Sequence, residues 1–118
     1  MDDSKLEFIR GTLDVLILKA LVWGPQHGYG VASLIRRQSD DALLLEEGTL
    51  YPALWRLESK KLVIAEWGLS ENNRKAKFYR LTPDGRRHLR DGTKTWEAYA
   101  RAVSKVLGAG RPTQEETA

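Results

Sequence analysis

The chain has 118 residues, 42% of them hydrophobic and 30% charged, with 19 basic against 16 acidic side chains and no cysteine. That is the size and composition of one globular domain with one modest core, and it leaves no room for a second full domain. Without cysteine there is neither a disulfide nor a thiolate metal site, so the fold must rest on packing alone.

The opening residues, MDDSKLEF, lack the basic start and small-residue cleavage site of a signal peptide, and a cytoplasmic location is expected. From Leu6 to Trp23 the pattern is helical and apolar almost all round, which predicts a buried helix ended by Gly24-Pro25. Its apolar stretch from Leu13 to Trp23 carries Asp14 and Lys19 and is shorter than the roughly 18 residues of a membrane span. No membrane contact is expected. The segment HGYGVASLIRRQ places Val31, Leu34 and Ile35 at helical spacing and predicts a second helix, closed by Asp40-Asp41. The apolar trio Leu43 to Leu45 allows a short strand.

A third helix follows in GTLYPALWRLESKKL. At about 100° per residue, Leu50, Leu54 and Leu57 share one stripe with Ala53 at its edge. The opposite side presents Pro52, Trp55, Arg56 and Ser59, with Tyr51 on the flank. Thr49 reads as the N-cap, which would put Pro52 in the first turn, where its missing N–H removes no intrahelical bond. Two runs of β character come next, LVIAEW (62–67) and KAKFYRL (75–81), joined through Asn72-Asn73, residues that tolerate the left-handed conformations of a tight turn. Thr82-Pro83-Asp84 then opens a last helix with an N-cap hydroxyl, a proline at the first position and an anion at the positive dipole end. It can run to Gly108. On it Leu89, Trp96, Ala100, Val103 and Leu107 fall on one narrow stripe, with Tyr99 and Val106 beside it, a spacing close to a coiled-coil seam. So small a core can cover only part of such a helix, and the stripe is expected to meet a second subunit. The tail 109–118 is expected to be disordered.

Charge is unevenly spread along this order. Residues 1–55 hold five basic and eight acidic side chains, whereas residues 56–105 hold thirteen and six. A segment biased in this way suits a polyanion, although a solvated basic face is the plainer alternative. His27 and His88 stand alone without metal-ligand spacing, and no nucleophile elbow, phosphate loop or carboxylate pair is present. The fragment GYGVAS follows a helix rather than a strand and lacks the third glycine of a dinucleotide fingerprint. Neither catalysis nor a cofactor or metal is expected.

Three helices, a two-stranded ribbon and a further helix make a mainly α fold with a small β-ribbon, the winged helix-turn-helix arrangement. In such a fold the third helix enters the major groove of double-stranded DNA, and the ribbon, or wing, follows the backbone or the adjacent minor groove. Arg56 would then donate to guanine or phosphate, Thr49 and Ser59 would bind backbone oxygens, and Tyr51, Pro52 or Trp55 would lie against a thymine methyl. Lys60, Lys61, Arg74, Lys75 and Lys77 would neutralise phosphates. Trp55 could instead pack against the wing, and Tyr29 either touches a phosphate or covers the second helix. A winged-helix module that binds an acidic protein partner is the alternative function.

The motifs GTLDVLILKAL, GPQHGYGVASLI, EEGTLYPALWRLESKKLV and AEWGLSENNRKAKFYRLTPDGRRHL resemble those of the PadR family of bacterial transcriptional regulators, in its short subfamily with a single C-terminal helix. The likeness covers residues 8 to 107, with the four motifs in the family's order and spacing. It implies a winged helix-turn-helix domain over 1–81 and a dimerisation helix over 82–108, carried by Leu89, Trp96, Tyr99, Ala100, Val103 and Leu107. It also implies a homodimeric repressor on an inverted-repeat operator, released in some members by a small molecule. The family's recognition helix corresponds to Thr49 through Lys60, its second-helix tyrosine to Tyr29, and its wing-tip cations to Arg74, Lys75 and Lys77. In some short members a tryptophan on the last helix stacks on flat aromatic compounds, and Trp96 occupies that place.

Overall fold

The computed structural model describes residues 11–112. Its elements run α1 (Leu13–Ala20), β1 (Gln26–His27), α2 (Gly28–Gln38), α3 (Glu47–Ser59), β2 (Val63–Leu69), β3 (Lys75–Leu81) and α4 (Pro83–Gly108). The strands form one antiparallel sheet in the order β1-β3-β2. Ile17 and Leu18 of α1, Val31 and Ile35 of α2, and Leu50, Leu54 and Leu57 of α3 interlock beneath it, closed by Val63, Tyr79 and Leu81 of the strands. The leucine stripe on α3 is therefore the inward one, as its periodicity predicts. No described helix is long and apolar enough to cross a membrane.

Several expectations need correction. The first helix of 6–23 is observed from Leu13 and stops at Ala20, because Leu21, Val22 and Gly24 turn back onto the carbonyls of Leu18, Lys19 and Leu21. Residues 6–10 lie outside the described region, as does 113–118 of the expected tail. Leu43 to Leu45 form no strand; Leu45 is buried and Leu43 packs on the core from irregular backbone. The third strand lies instead at Gln26–His27, which pair with Tyr79 and Phe78. Two residues carry no periodicity by which a reader could find them.

Helix α3 begins two residues before the expected cap. Glu46, in extended conformation, takes the N-cap place, and its carbonyl accepts from the amides of Thr49 (3.0 Å) and Leu50 (2.8 Å). Thr49 is thus the third helical residue. Pro52 falls beyond the first turn, where its ring nitrogen cannot donate to the Gly48 carbonyl, so one intrahelical bond is lost on the exposed side. Glu46 and Glu47 place two carboxylates at the positive end of the helix dipole, and this favours the earlier start.

The other end of α3 closes in a Schellman motif. The Leu62 amide bonds the Leu57 carbonyl and the Lys61 amide the Glu58 carbonyl, both at 2.9 Å, while Leu57 and Leu62 are both buried. This closure keeps Leu62 out of β2. It also forces Lys61 to φ 61°, a left-handed conformation that costs a residue with a Cβ. Lys61→Gly is expected to raise unfolding free energy by about 0.5–1 kcal/mol, measured by denaturant titration. Asp40 and Asp41 end α2 in the same geometry, at φ 53° and 66°.

Thr82 joins these elements. Its Oγ1 accepts from the Gly85 amide at 2.9 Å, starting α4 as the sequence predicts, and its hydroxyl donates to the Lys61 carbonyl at 2.8 Å. Asn73 adopts φ 58° in the turn between β2 and β3, again as predicted. These local closures set the angle between α3 and the β2–β3 hairpin.

Candidate nucleic-acid interface

The outward side of α3 is open. Trp55 is 69% exposed, and Pro52 and Ser59 are exposed beside it. At that exposure Trp55 is not sealed against the hairpin. Tyr51 lies on one flank, its ring against the backbone of Gly28, so closely that a Cβ there would fall 2.8 Å from the ring. Arg56 lies on the opposite flank, where Nη2 donates to Asp14 Oδ1 of α1 at 2.9 Å. Thr49 and Lys60 share that side of the helix by their spacing and are exposed.

A cleft of about 870 Å³ separates the start of α2 from the hairpin, and Tyr29, Tyr51, Trp67, Lys75, Lys77 and Tyr79 line it. Tyr29 stands out at 77% exposure. The His27 ring Nδ1 accepts from the Gly30 amide at 3.0 Å and so caps α2 directly behind Tyr29. Lys77 Nζ bonds Glu58 of α3 at 3.1 Å and lies 5.8 Å from the Tyr79 ring centre, fixing the hairpin's distance from α3. Burial pushes the Tyr79 phenol above its ordinary value, and the Lys77 charge opposes that shift. Arg74 and Lys75 at the tip, with Lys60 and Lys61 at the end of α3, enter no ion pair among the described residues.

Either side of the open Pro52, Trp55 and Ser59 face, sequence-predicted residues gather into two groups. Tyr29, Tyr51, Lys75 and Lys77 meet around the cleft, while Arg56, Thr49 and Lys60 face the α1 side. Trp67, absent from the prediction, belongs with the first group, and Leu69 extends its strand face beyond the cleft. Trp67 and Leu69, 66% and 65% exposed, continue the face of Val63 and Ala65 past the end of the core, and Lys75 Nζ sits 5.1 Å from the Trp67 ring centre. The signal was present in VIAEWGL as apolar alternation outlasting the core. Asp14 and Glu58, the acids that hold Arg56 and Lys77, had no signal, being 42 and 19 residues away.

On α4 the expected seam divides. Leu89 packs partly buried against its own core, and Gly92 lets Val15 of α1 approach to 2.7 Å of where a Cβ would stand. Beyond that crossing Tyr99, Val106 and Leu107 are 58%, 74% and 80% exposed, with Trp96 at 39%. Trp96, Tyr99, His88 and Thr95 share a cleft of about 620 Å³ with Val15 of α1 and with Thr12 just before it. The Trp96 and Tyr99 rings lie 6.3 Å apart. No group of acids and histidines among the described residues could hold a metal ion.

The open face of α3 thus lies beside a cationic hairpin. The family model for the transcriptional regulator PadR-like family matches residues 17–91. The chain belongs to that family. PadR-like regulators are DNA-binding proteins of transcription control rather than enzymes, and the mainly α, winged architecture is theirs. The chain is 34% identical over 97 residues to Transcriptional regulator Rv3488 of Mycobacterium tuberculosis, spanning 82% of this chain and 87% of that relative. It is 32% identical over 90 residues to an uncharacterised protein of Lysinibacillus sphaericus, 76% of this chain and 83% of that one. A solved transcriptional regulator from Clostridium thermocellum superposes with a TM-score of 0.75 at 32% identity, over 82% of this chain and 94% of its own. A PadR family transcription regulator from Clostridium difficile R20291 gives 0.70 at 31%, over 80% and 97%.

Proposed function

We propose that this PadR-like regulator is a cytoplasmic homodimeric repressor that reads an inverted-repeat operator. Residues 1–81 form the reading domain, with α3 in the major groove and the β2–β3 hairpin on the backbone or minor groove. Residues 82–108 form the dimerisation helix. Supporting this most directly is the exposed Trp55, Pro52 and Ser59 side of α3, next to Arg74 and Lys75, which enter no ion pair among the described residues. Tyr51 and Arg56 flank the reading surface; Tyr29, Thr49, Lys60, Lys61 and Lys77 reach phosphates. A flat aromatic effector would sit beside Trp96, in the cleft between α1 and α4, and release the repressor by favouring dimers whose reading heads are misaligned with the groove.

The test is binding to the DNA upstream of the protein's own gene, titrated against salt. Log K should fall linearly with log[salt] with a slope of several units, and a scrambled duplex should bind roughly a thousandfold more weakly. Replacing Arg74 and Lys75 together by alanine should reduce the slope by about 2 while leaving the preference for the operator. Equal affinity for the two duplexes would refute sequence-specific reading.

A further inference from the structure

We infer that Asp14 is the positioning residue for Arg56, holding its guanidinium at the edge of α3 in the attitude from which it reads a base. The inference rests on the reading above, in which α3 enters the groove. Six ion pairs are found among the described residues, and this one differs from the rest. Asp14 has the most covered side chain of any partner, at 22% exposure, while Arg56 remains 45% exposed. Four of the others join side chains that are both at least half exposed, and such pairs hold little in place. Asp14 also comes from a different helix, packed in the first turn of α1, so the fold rather than helical neighbourhood fixes the charge beside Arg56.

The geometry suits positioning rather than occlusion. Among the described residues only Nη2 is bonded, at 2.9 Å, which leaves most of the five guanidinium donors for a guanine edge or a phosphate. An arginine already immobilised loses less side-chain freedom on binding than a free one. The same carboxylate is an anion at the rim of a DNA-binding surface, where it opposes any phosphate that approaches out of register. Asp14 should therefore strengthen binding to the correct sequence and weaken binding to all others. A residue that served the fold alone would shift both affinities together.

The experiment uses the full-length protein with two duplexes, the sequence upstream of its own gene and a scrambled copy. Wild type is compared with Asp14→Asn, Asp14→Ala, Arg56→Ala and the Asp14→Ala/Arg56→Ala double variant, with thermal melting as a check on folding. Asp14→Ala should narrow the operator-to-scrambled ratio roughly tenfold, lowering operator affinity while raising scrambled affinity. Its salt slope on scrambled DNA should steepen by up to about 1, as the released guanidinium turns to a phosphate. Asp14→Asn, which keeps the acceptor and loses the charge, should fall between. The double variant should discriminate no worse than Arg56→Ala alone, because the two residues act as a unit. An unchanged ratio in Asp14→Ala, or a loss that persists in the Arg56→Ala background, overturns the positioning role while leaving the repressor reading intact. Wild-type protein that fails to prefer the operator overturns both.

Discussion

Glutamate at both Val103 and Leu107 is expected to turn the protein into a folded monomer that has lost roughly a thousandfold or more of its operator affinity. Helix α4 has 26 residues, which at about 1.5 Å each makes a rod of roughly 39 Å. Among the described residues the core lies under its first half: Leu89 packs there and Gly92 crosses α1. Past Trp96, Ala100 and Val103 are half-buried, and the stripe ends with Val106 and Leu107 almost bare. In the proposed homodimer a second copy covers this surface, and two carboxylates facing their own images across a twofold seam would have to be buried unpaired. The operator loss follows because two reading helices held about one helical turn apart bind one site cooperatively, whereas a single head is left with half a site. Sedimentation, operator titration and thermal melting measure the three parts of this outcome. A wild-type protein that sediments as a monomer at micromolar concentration would remove the premise, and a monomeric variant with undiminished operator affinity would show that α4 does not set the spacing of the heads.

Gly85→Ala is expected to destabilise the protein by roughly 1–3 kcal/mol, although the same change in an open helix usually stabilises. Gly85 is the third residue of α4, buried where the helix start abuts the end of α3. A Cβ there would overlap the carbonyl oxygen of Leu62. That oxygen cannot withdraw, because it accepts from the Thr82 amide at 3.1 Å while the Leu62 amide completes the Schellman closure of α3. Backbone on both sides must shift, and with it the Thr82 hydroxyl that caps the Gly85 amide and bonds Lys61. Each kcal/mol is worth about 4–8 °C in a domain of this size, so calorimetry should record a fall in Tm of roughly ten degrees. An unchanged or higher Tm would mean that the α3–α4 junction has slack. Because α3 and the hairpin both leave from this junction, the variant should also lose operator affinity well below its melting point.

Much of this molecule was legible in one dimension. The inward leucines of α3, the left-handed Asn73, the Thr82-Pro83 start of α4 and its end at Gly108 are local events, each set by a few neighbouring side chains and the backbone between them. Periodicity and capping chemistry report such events faithfully. The open side of α3 followed from the same periodicity, since whatever opposes a buried stripe must face out. Where local signals competed, the reading slipped: a threonine suited to capping lost to Glu46, three residues earlier, because an acidic pair already lay at the positive end of the helix.

What the tertiary structure alone decided is everything that joins residues distant along the chain. The two-residue strand at Gln26–His27 exists only because β3 offers it an edge, and the irregular path of Leu43 to Leu45 follows from the absence of any such edge there. Asp14 finds Arg56 across 42 positions, dividing residues that had looked like one reading face into a cleft side and an α1 side. Leu89 is claimed by its own core while Leu107 on the same stripe stays exposed, a distinction that depends on how far the packed domain reaches along α4. Side-chain chemistry and helical period are properties of the sequence; which charges meet and which apolar faces stay uncovered are properties of the packing.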